Sequence, residues 1–343
     1  MDTERFRLVT LVATLVLGTL LLASFISITA IAASPVASPD HRPPAAKACV
    51  TGADLAGLPL RPGLAPAIAR GPTADVPWVQ QAKVTVDDGA EDDYFGAAVD
   101  VDGAAVVVGS YNADVGVLTD TGAAYVFNRP GPGGNTFSQT AELVAEDPDE
   151  YDRLGTSVAV DGDTVVIGAP YADVGSAVDQ GAVYVFSQVP GHESTFSQTA
   201  VLTASDGAAY DSFGTSVAVD GETVVVGALA ATVNANISQG AAYVFTRPEG
   251  GWADATQTAK LTAGDGAALD IFGTSVAIAG DTVVVGAPWC TVDGDDQQGA
   301  AYVFSKPAQG WSDITHTAKL TATGSVSRDH VGWSVAIAAD TVA

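Results

Sequence analysis

Phe213-Gly214-Thr215-Ser216-Val217-Ala218-Val219-Asp220-Gly221-Glu222-Thr223-Val224-Val225-Val226-Gly227-Ala228 is one copy of a pattern that fills most of this chain. The same opening stands 59 residues earlier as Leu154-Gly155-Thr156-Ser157 and 59 residues later as Phe272-Gly273-Thr274-Ser275. Its leading glycine recurs at Gly96, Gly155, Gly214, Gly273 and Gly332. A second recurs at Gly109, Gly168, Gly227 and Gly286. A third opens a Gly-Ala-Ala/Val-Tyr-Val-Phe run at Gly122, Gly181, Gly240 and Gly299. No insertion or deletion breaks the phase. A fixed period of this length marks a repeat architecture, in which no unit buries its faces alone and stacking supplies the core. Residues that recur with the repeat therefore belong to the frame.

Within the second copy, four short apolar runs at 157–160, 164–169, 182–186 and 198–203 are separated by turn residues. They are rich in Val, Tyr, Phe and Thr, whose branched or flat side chains suit a pleated surface. Asp161-Gly162 joins the first two runs and is a hairpin signal that needs φ > 0; Asp102-Gly103 and Asp220-Gly221 repeat it. Ala279-Gly280 and Ala338-Ala339 are weaker versions. The second and third runs are linked by a longer loop, and the fourth returns through an acidic stretch to the next Phe-Gly. Runs such as Thr164-Val165-Val166-Ile167-Gly168-Ala169 are apolar on both faces, so they must be covered on both. The pattern predicts an all-β chain: a β-propeller of four-stranded antiparallel blades, with four complete blades and a truncated fifth.

Phe-Gly-Thr-Ser-Val-Ala-Val at 213–219, a hairpin, then Val-Val-Ile-Gly-Ala-Pro at 165–170 resembles the FG-GAP repeat, the blade unit of the integrin α-subunit propeller. Gly-Ala-Pro is complete at Gly168-Ala169-Pro170 and Gly286-Ala287-Pro288, and degrades to Gly109-Ser110-Tyr111 and Gly227-Ala228-Leu229. The Lys-Leu-Thr-Ala strands at 260–263 and 319–322 fit the same family. The resemblance covers residues 78–343 and implies a propeller of about seven blades, so the sequence is expected to be a fragment of it, the alternative being an open arc. Many such blades carry an Asp-x-Asp-x-Asp-Gly calcium loop between the first two strands. Here that place holds only Asp161-Gly162-Asp163 or Asp220-Gly221-Glu222, too short to wrap a hard cation. Calcium is not carried over to this loop, and the chain resembles the metal-poor bacterial or archaeal form.

Upstream, Arg5 and Arg7 precede an uncharged apolar stretch, 8–33, with a small-residue cleavage site at Ala30-Ile31-Ala32. It reads as a signal peptide or, being long enough to span a bilayer, as an N-terminal membrane anchor. Either reading places the body outside the cytoplasm, secreted or at the cell surface. Residues 34–77 are rich in Pro and Ala and read as a linker. Cys49 lies in it, and Cys290 follows Gly-Ala-Pro-Trp on a loop; two such thiols make no disulfide framework.

Forty Asp and Glu against fourteen Lys and Arg give a net charge of −26. Binding phosphates needs a basic stripe, so nucleic acid is excluded as a partner. A surface this acidic is tolerated at high salt, where repulsion is screened, and suggests a salt-loving source.

Gly-x-Ser-x-Ala at Ser157, Ser216, Ser275 and Ser334 superficially matches a hydrolase nucleophile elbow. It recurs with the repeat, lacks a periodic histidine to take the serine proton, and is replaced by Ala98 in the first copy, so it reads as a strand serine. His41, His192, His316 and His330 share no metal-ligand spacing. Asp93, Asp152, Asp211, Asp270 and Asp329, just before each Phe-Gly position, read as turn caps. Trp252 and Trp311 are expected at the outer edge of the blades, and Asn236-Ile237-Ser238 is a lone glycosylation sequon on an exposed loop.

The candidate site is acidic. Asp114, Asp120, Asp173, Asp179, Asp293, Asp295 and Asp296 lie between second and third strands. Asp87, Asp88, Glu91, Asp92 and Asp93, then Glu146, Asp147, Asp149, Glu150 and Asp152, lie between fourth strands and the next Phe-Gly. Both loop sets leave the same end of the blades, so their carboxylates should crowd one rim, as solubilising loops or as a site for a cation or a basic or sugar-bearing partner. The third copy, 230–238, has no carboxylate there. The resulting expectation is an exported, non-catalytic binding or adhesion platform for an extracellular protein or polysaccharide, with no cofactor and calcium as the one cation to test. The alternatives are an accessory to an extracellular polysaccharide-acting enzyme and a structural envelope protein.

Overall fold

The computed structural model describes residues 82–129, 136–339 and 341–343. The apolar stretch 8–33 and the linker 34–77, with Cys49 and His41, lie outside the described residues. No helix occurs among those described, and none is long and apolar enough to cross a membrane.

The first blade is the sheet β1 (Ala98–Asp102), β2 (Ala105–Ser110), β3 (Ala123–Asn128) and β4 (Ser138–Leu143), paired in that order. The second is β5 (Ser157–Asp161), β6 (Thr164–Ala169), β7 (Ala182–Val189) and β8 (His192–Thr203). The third begins with β9 (Phe213–Asp220), β10 (Thr223–Ala228) and β11 (Ala241–Thr246); its outer strand is broken into β12 (Ala255–Thr256) and β13 (Ala259–Thr262). The fourth has β14 (Ser275–Ala279), β15 (Thr282–Ala287) and β16 (Ala300–Ser305), with β17 (Ile314–Thr315) and β18 (Ala318–Leu320) outermost; β19 (Ile337–Ala338) and β20 (Thr341–Val342) form a last hairpin. All pairings within a blade are antiparallel, as the four-run pattern predicts. Two pairings cross blades. β12 runs parallel to β8, and β17 runs parallel to β13, so the third and fourth blades each lend two residues to the outer edge of the one before.

The inner hairpin differs by one residue from its sequence signature. Asp161 pairs with Thr164, so the loop is Gly162-Asp163 and the aspartate closes the strand. Its carboxylate is thereby free to reach across the seam. Asp102 Oδ2 accepts from the Gly162 N–H at 2.8 Å, Asp161 Oδ2 from Gly221 and Asp220 Oδ2 from Gly280. The residue that reads as turn chemistry also joins neighbouring blades.

β6 and β10 are buried along their whole length, as expected of strands covered on both faces. The cores lie between sheets. One unites Val166, Val183 and Leu202 of the second blade with Phe213, Val224, Tyr243 and Phe245 of the third. The Phe of each Phe-Gly stands edge-on to its own third strand: Phe213 lies 5.5 Å from Tyr243 and 5.9 Å from Phe245, and Phe272 repeats this with Tyr302 and Phe304. Such geometry suits the aromatic quadrupole. Trp252 and Trp311 are buried, 8% and 7% exposed, in the core between the second and third blades and in that between the third and fourth, respectively.

The invariant phase of the glycines has a direct cause. Gly168 faces the next blade so closely that a Cβ there would stand 2.0 Å from the Gly214 carbonyl oxygen; Gly109, Gly227 and Gly286 meet Gly155, Gly273 and Gly332 in the same way. Two backbones touch at this point, and a side chain on either would separate the blades. The partner glycines hold φ near +90°.

Candidate functional site

The serine of Gly-x-Ser is a seam residue. Ser157 Oγ donates to the Gly214 carbonyl at 2.8 Å, Ser216 to Gly273 at 2.8 Å and Ser275 to Gly332 at 2.9 Å. A hydroxyl committed to a backbone carbonyl, with no histidine beside it, has no base to take its proton. His316 is also in the seam, its Nδ1 accepting from the Gly264 N–H, where Gln198 and Gln257 accept from Glu146 and Ser205.

The periodic aspartates cap turns. Asp152 Oδ2 accepts from the Asp149 N–H at 3.0 Å, and Asp211, Asp270 and Asp329 do the same for Ala208, Ala267 and Val326. Burial pushes the Asp152 carboxyl up to about 6, opposed by its backbone hydrogen bond and reinforced by Asp149, Asp173 and Asp147. Asp211 and Asp270 are raised for the same first reason.

The two loop sets share one rim and are stitched together across every seam. The Tyr151 N–H donates to Thr119 O, Tyr210 to Val178 O, Leu269 to Ile237 O and Arg328 to Asp296 O. Each predicted site residue is on this rim. Asp114 Oδ1 accepts from the Asp120 N–H, and Asp173 Oδ1 from the Asp179 N–H, both at 2.9 Å. Asp114 and Asp173 are exposed; Asp120 and Asp179 are half-buried in left-handed conformation, φ 52° and 51°. Asp293 and Asp296 are exposed, and Asp295 Oδ1 accepts from Ser327 Oγ. The structure thus joins Asp114 to Asp120 and Asp173 to Asp179 within their loops, and ties Asp295 to the connection across the seam. Among the described residues no group of three or more His, Cys, Asp or Glu side chains stands close enough to hold a metal ion. Asn236, the sequon residue, is half-buried; its amide donates to Gln239 Oε1 at 2.8 Å and to Gly266 O at 3.2 Å. Cys290 is buried and unpaired.

Sequence reasoning passed over the apolar side of this rim. Twelve large apolar or aromatic side chains are exposed among the described residues, and eleven of them sit on these loops: Leu320, on β18, is the exception. Three of them, Tyr151 (54% exposed), Tyr210 (64%) and Leu269 (58%), occupy equivalent positions directly before the capping aspartate. All three are left-handed, with φ of 73°, 69° and 70°. Nearby, Tyr94 stacks on Tyr111 at 5.0 Å, and the Arg153 guanidinium lies 5.9 Å from Tyr111 and 4.8 Å from Tyr171. The signal in the sequence was a bulky residue inside a polar, acidic turn, where neither strand nor core explains it.

At the outer edge of the rim, Lys260 Nζ sits 2.5 Å from Asp206 and 5.2 Å over the Tyr243 ring. Lys319 repeats this with Asp265, at 2.7 Å, and Tyr302, at 5.1 Å. Along β8, the outer strand of the second blade, lies a groove of about 470 Å³ flanked by Glu146 and Asp147 of the preceding connection and by Asp254 of the third copy, with Gln198, Thr199, Ala200 and Val201 as its floor.

The FG-GAP repeat family matches at residues 78–127, 137–186, 196–245 and 255–304, in the same phase as the blades. No curated protein sequence matches the chain. Among solved structures, a complex of KlAtg21 with the coiled-coil of AgAtg16 is 11% identical with a TM-score of 0.41, covering 65% of this chain and 57% of that one. The computationally designed Ika4 protein is 16% identical with a TM-score of 0.34, covering 64% of this chain and 94% of that one. With four matches that together span more than half of its length, the chain belongs to the FG-GAP repeat family.

Proposed function

We propose that this is an exported, non-catalytic recognition or adhesion platform whose loop-bearing rim engages an extracellular protein or polysaccharide. One observation carries the reading: Tyr151, Tyr210 and Leu269 are large, exposed and left-handed on the same rim. A bulky L-residue in that conformation is strained, and Gly or Asn would hold the turn at lower cost. Strain kept at an exposed place is found where the side chain has a task. Tyr, with its large amphipathic ring, is a side chain that anchors interfaces. The rim carboxylates around these residues add selectivity against anionic partners. FG-GAP repeats are usually extracellular or surface domains, which supports an exported body, and the serines and histidine accounted for in the seams leave no nucleophile paired with a base among them.

The experiment replaces Tyr151, Tyr210 and Leu269 by Gly together and compares the full chain with the variant on arrays of printed glycans and of extracellular proteins. Glycine fits φ near +70° without a Cβ clash, so the melting temperature should hold to within about 1 kcal/mol of stability. A ligand found by the native chain should bind the variant at least about tenfold more weakly. Undiminished binding by a folded variant removes the rim as the recognition surface.

A further inference from the structure

The repeat separates what the frame requires from what one seam alone carries. At the seam of the first and second blades, three rim side chains depart from the pattern together. Arg153, in the connection into β5, stands where the third and fourth copies have Ser212 and Ile271. Tyr111, just after β2, stands where the others have Pro170, Leu229 and Pro288. Tyr171, just after β6, stands where the first and third have Asn112 and Ala230; the fourth alone keeps a ring there, Trp289. Arg153, Ser212 and Ile271 share one left-handed conformation, φ 57°, 55° and 49°, so the later seams close without a guanidinium. Yet the three departures meet in space. The Arg153 guanidinium lies over the rings of Tyr111 and Tyr171, and Tyr94 stacks on Tyr111 with the planes 14° apart. Tyr94 is 53% exposed and Tyr171 40%, while Arg153 is half-buried. Among the described residues, the other cations that lie over a ring, Lys260 and Lys319, each also hold a carboxylate. Arg153 makes no ion pair with a described residue, in a chain with forty Asp and Glu against fourteen Lys and Arg.

We infer that this cluster binds a uronate residue of an extracellular polysaccharide, whose carboxylate accepts the N–H donors of Arg153 while its pyranose ring packs against the exposed rings of Tyr94 and Tyr171. The inference deepens the rim reading by naming the ligand class, and rests on it for the face that meets the ligand. A guanidinium is a planar fork matched to the two oxygens of a carboxylate, and stacking on aromatic rings leaves its donors free in its own plane. Held in that plane by Tyr111 and Tyr171, it has less side-chain freedom to lose on binding. The tyrosine rings supply flat amphipathic surface beside it. An acidic peptide would satisfy the fork but lay no ring on these faces; a neutral sugar would suit the rings and leave the fork without its anion. The rim carboxylates oppose a densely charged polyanion, so the polymer expected carries uronates separated by neutral sugars. Repulsion from carboxylates farther than about 8 Å is screened at physiological ionic strength, whereas the contact at Arg153 is made within that distance.

The test is an NMR titration of the ¹⁵N-labelled full chain, following the amides and the Arg153 Nε–H, with a disaccharide of glucuronate and glucose, with its methyl ester, and with the tripeptide Gly-Glu-Gly blocked at both ends. Shifts from the disaccharide should concentrate at Tyr94, Tyr111, Arg153 and Tyr171, and esterification should weaken binding at least about tenfold. Arg153→Ser and Tyr171→Ala introduce the side chains that the third copy holds at those places, Ser212 and Ala230, so both should fold. The first should weaken the response at least about tenfold and the second about threefold. An unchanged response from a folded Arg153→Ser chain, or an equal response to the ester or to Gly-Glu-Gly, overturns the inference. Silence toward the disaccharide also overturns it, and leaves the rim reading standing where an array ligand still depends on Tyr151, Tyr210 and Leu269. Conversely, a response centred on Arg153, with array binding unaffected by glycine at 151, 210 and 269, supports the uronate site and removes the reading carried by those three residues.

Discussion

Asp152 shows how one side chain serves the frame at an electrostatic cost. Its carboxylate caps a turn from a position only 7% exposed, and burial raises it from 3.8 to about 6. The folded state then binds the proton more tightly than the unfolded chain does. Between about pH 4 and pH 6 the folded protein holds the extra proton, so this group's contribution is greatest below 3.8 and is lost as pH rises through about 6. Asp152→Asn retains an oxygen to accept from Asp149 and removes the buried charge. It should raise stability at pH 7 by about 1–2 kcal/mol and flatten the dependence between about pH 4 and pH 6, as read from denaturant unfolding across that range. A variant less stable than the native chain at pH 7 would mean that the charged form is what the turn requires. Gly227→Ala tests a different residue-scale constraint. Its new Cβ would stand 2.0 Å from the Gly273 carbonyl oxygen, backbone that has no rotamer to yield. A loss exceeding about 3 kcal/mol, or failure to fold, is expected from thermal melting.

At the scale of strands and seams, blades are joined by side chains that look local in sequence. Asp161 reads as a hairpin residue and proves to accept from Gly221 of the following blade. Gln198 falls in a predicted strand, and it and Gln257 each cap the connection that leads into their blade. The sequence made their period legible but not their partners, because a partner 52 or 60 residues away is set by how blades stack. The seams are also unequal. Lys260 and Lys319 clasp the later blades, Val201 leaves the second without a clasp, and Glu142 faces Asp88 in the first, where burial first and Asp88 second raise the Glu142 carboxyl. Lys319→Met should lower stability by no more than about 1 kcal/mol, since Asp265 is half-exposed and such pairs are screened. Val201→Lys should raise it by a few tenths to about 1 kcal/mol. Both are measurable by urea unfolding, and a destabilised Val201→Lys would show that the sister geometry does not transfer to this seam.

Across the whole molecule, the net charge of −26 acts on stability through self-repulsion. Lowering ionic strength from about 1 M to about 0.01 M lengthens the screening distance from ~3 Å to ~30 Å. The melting temperature should therefore fall along that series; a flat response would mean that the rim carboxylates are neutralised by their own backbone partners, as Asp114 and Asp173 partly are. The sequence by itself determined the all-β class, the 59-residue blade, the seam glycines, the turn-capping aspartates and the shared rim, because each follows from a period and from residue types that tolerate few conformations. Only the tertiary structure decided that the serines and hairpin aspartates bond to neighbouring blades, and that Tyr151, Tyr210 and Leu269 stand exposed in left-handed turns. It also decided that Lys260 and Lys319 each clasp a tyrosine ring and an aspartate of the preceding connection. The physical reason is distance along the chain. Local sequence specifies turns and strands, while contacts between copies exist only once stacking has brought residues about one repeat apart into register.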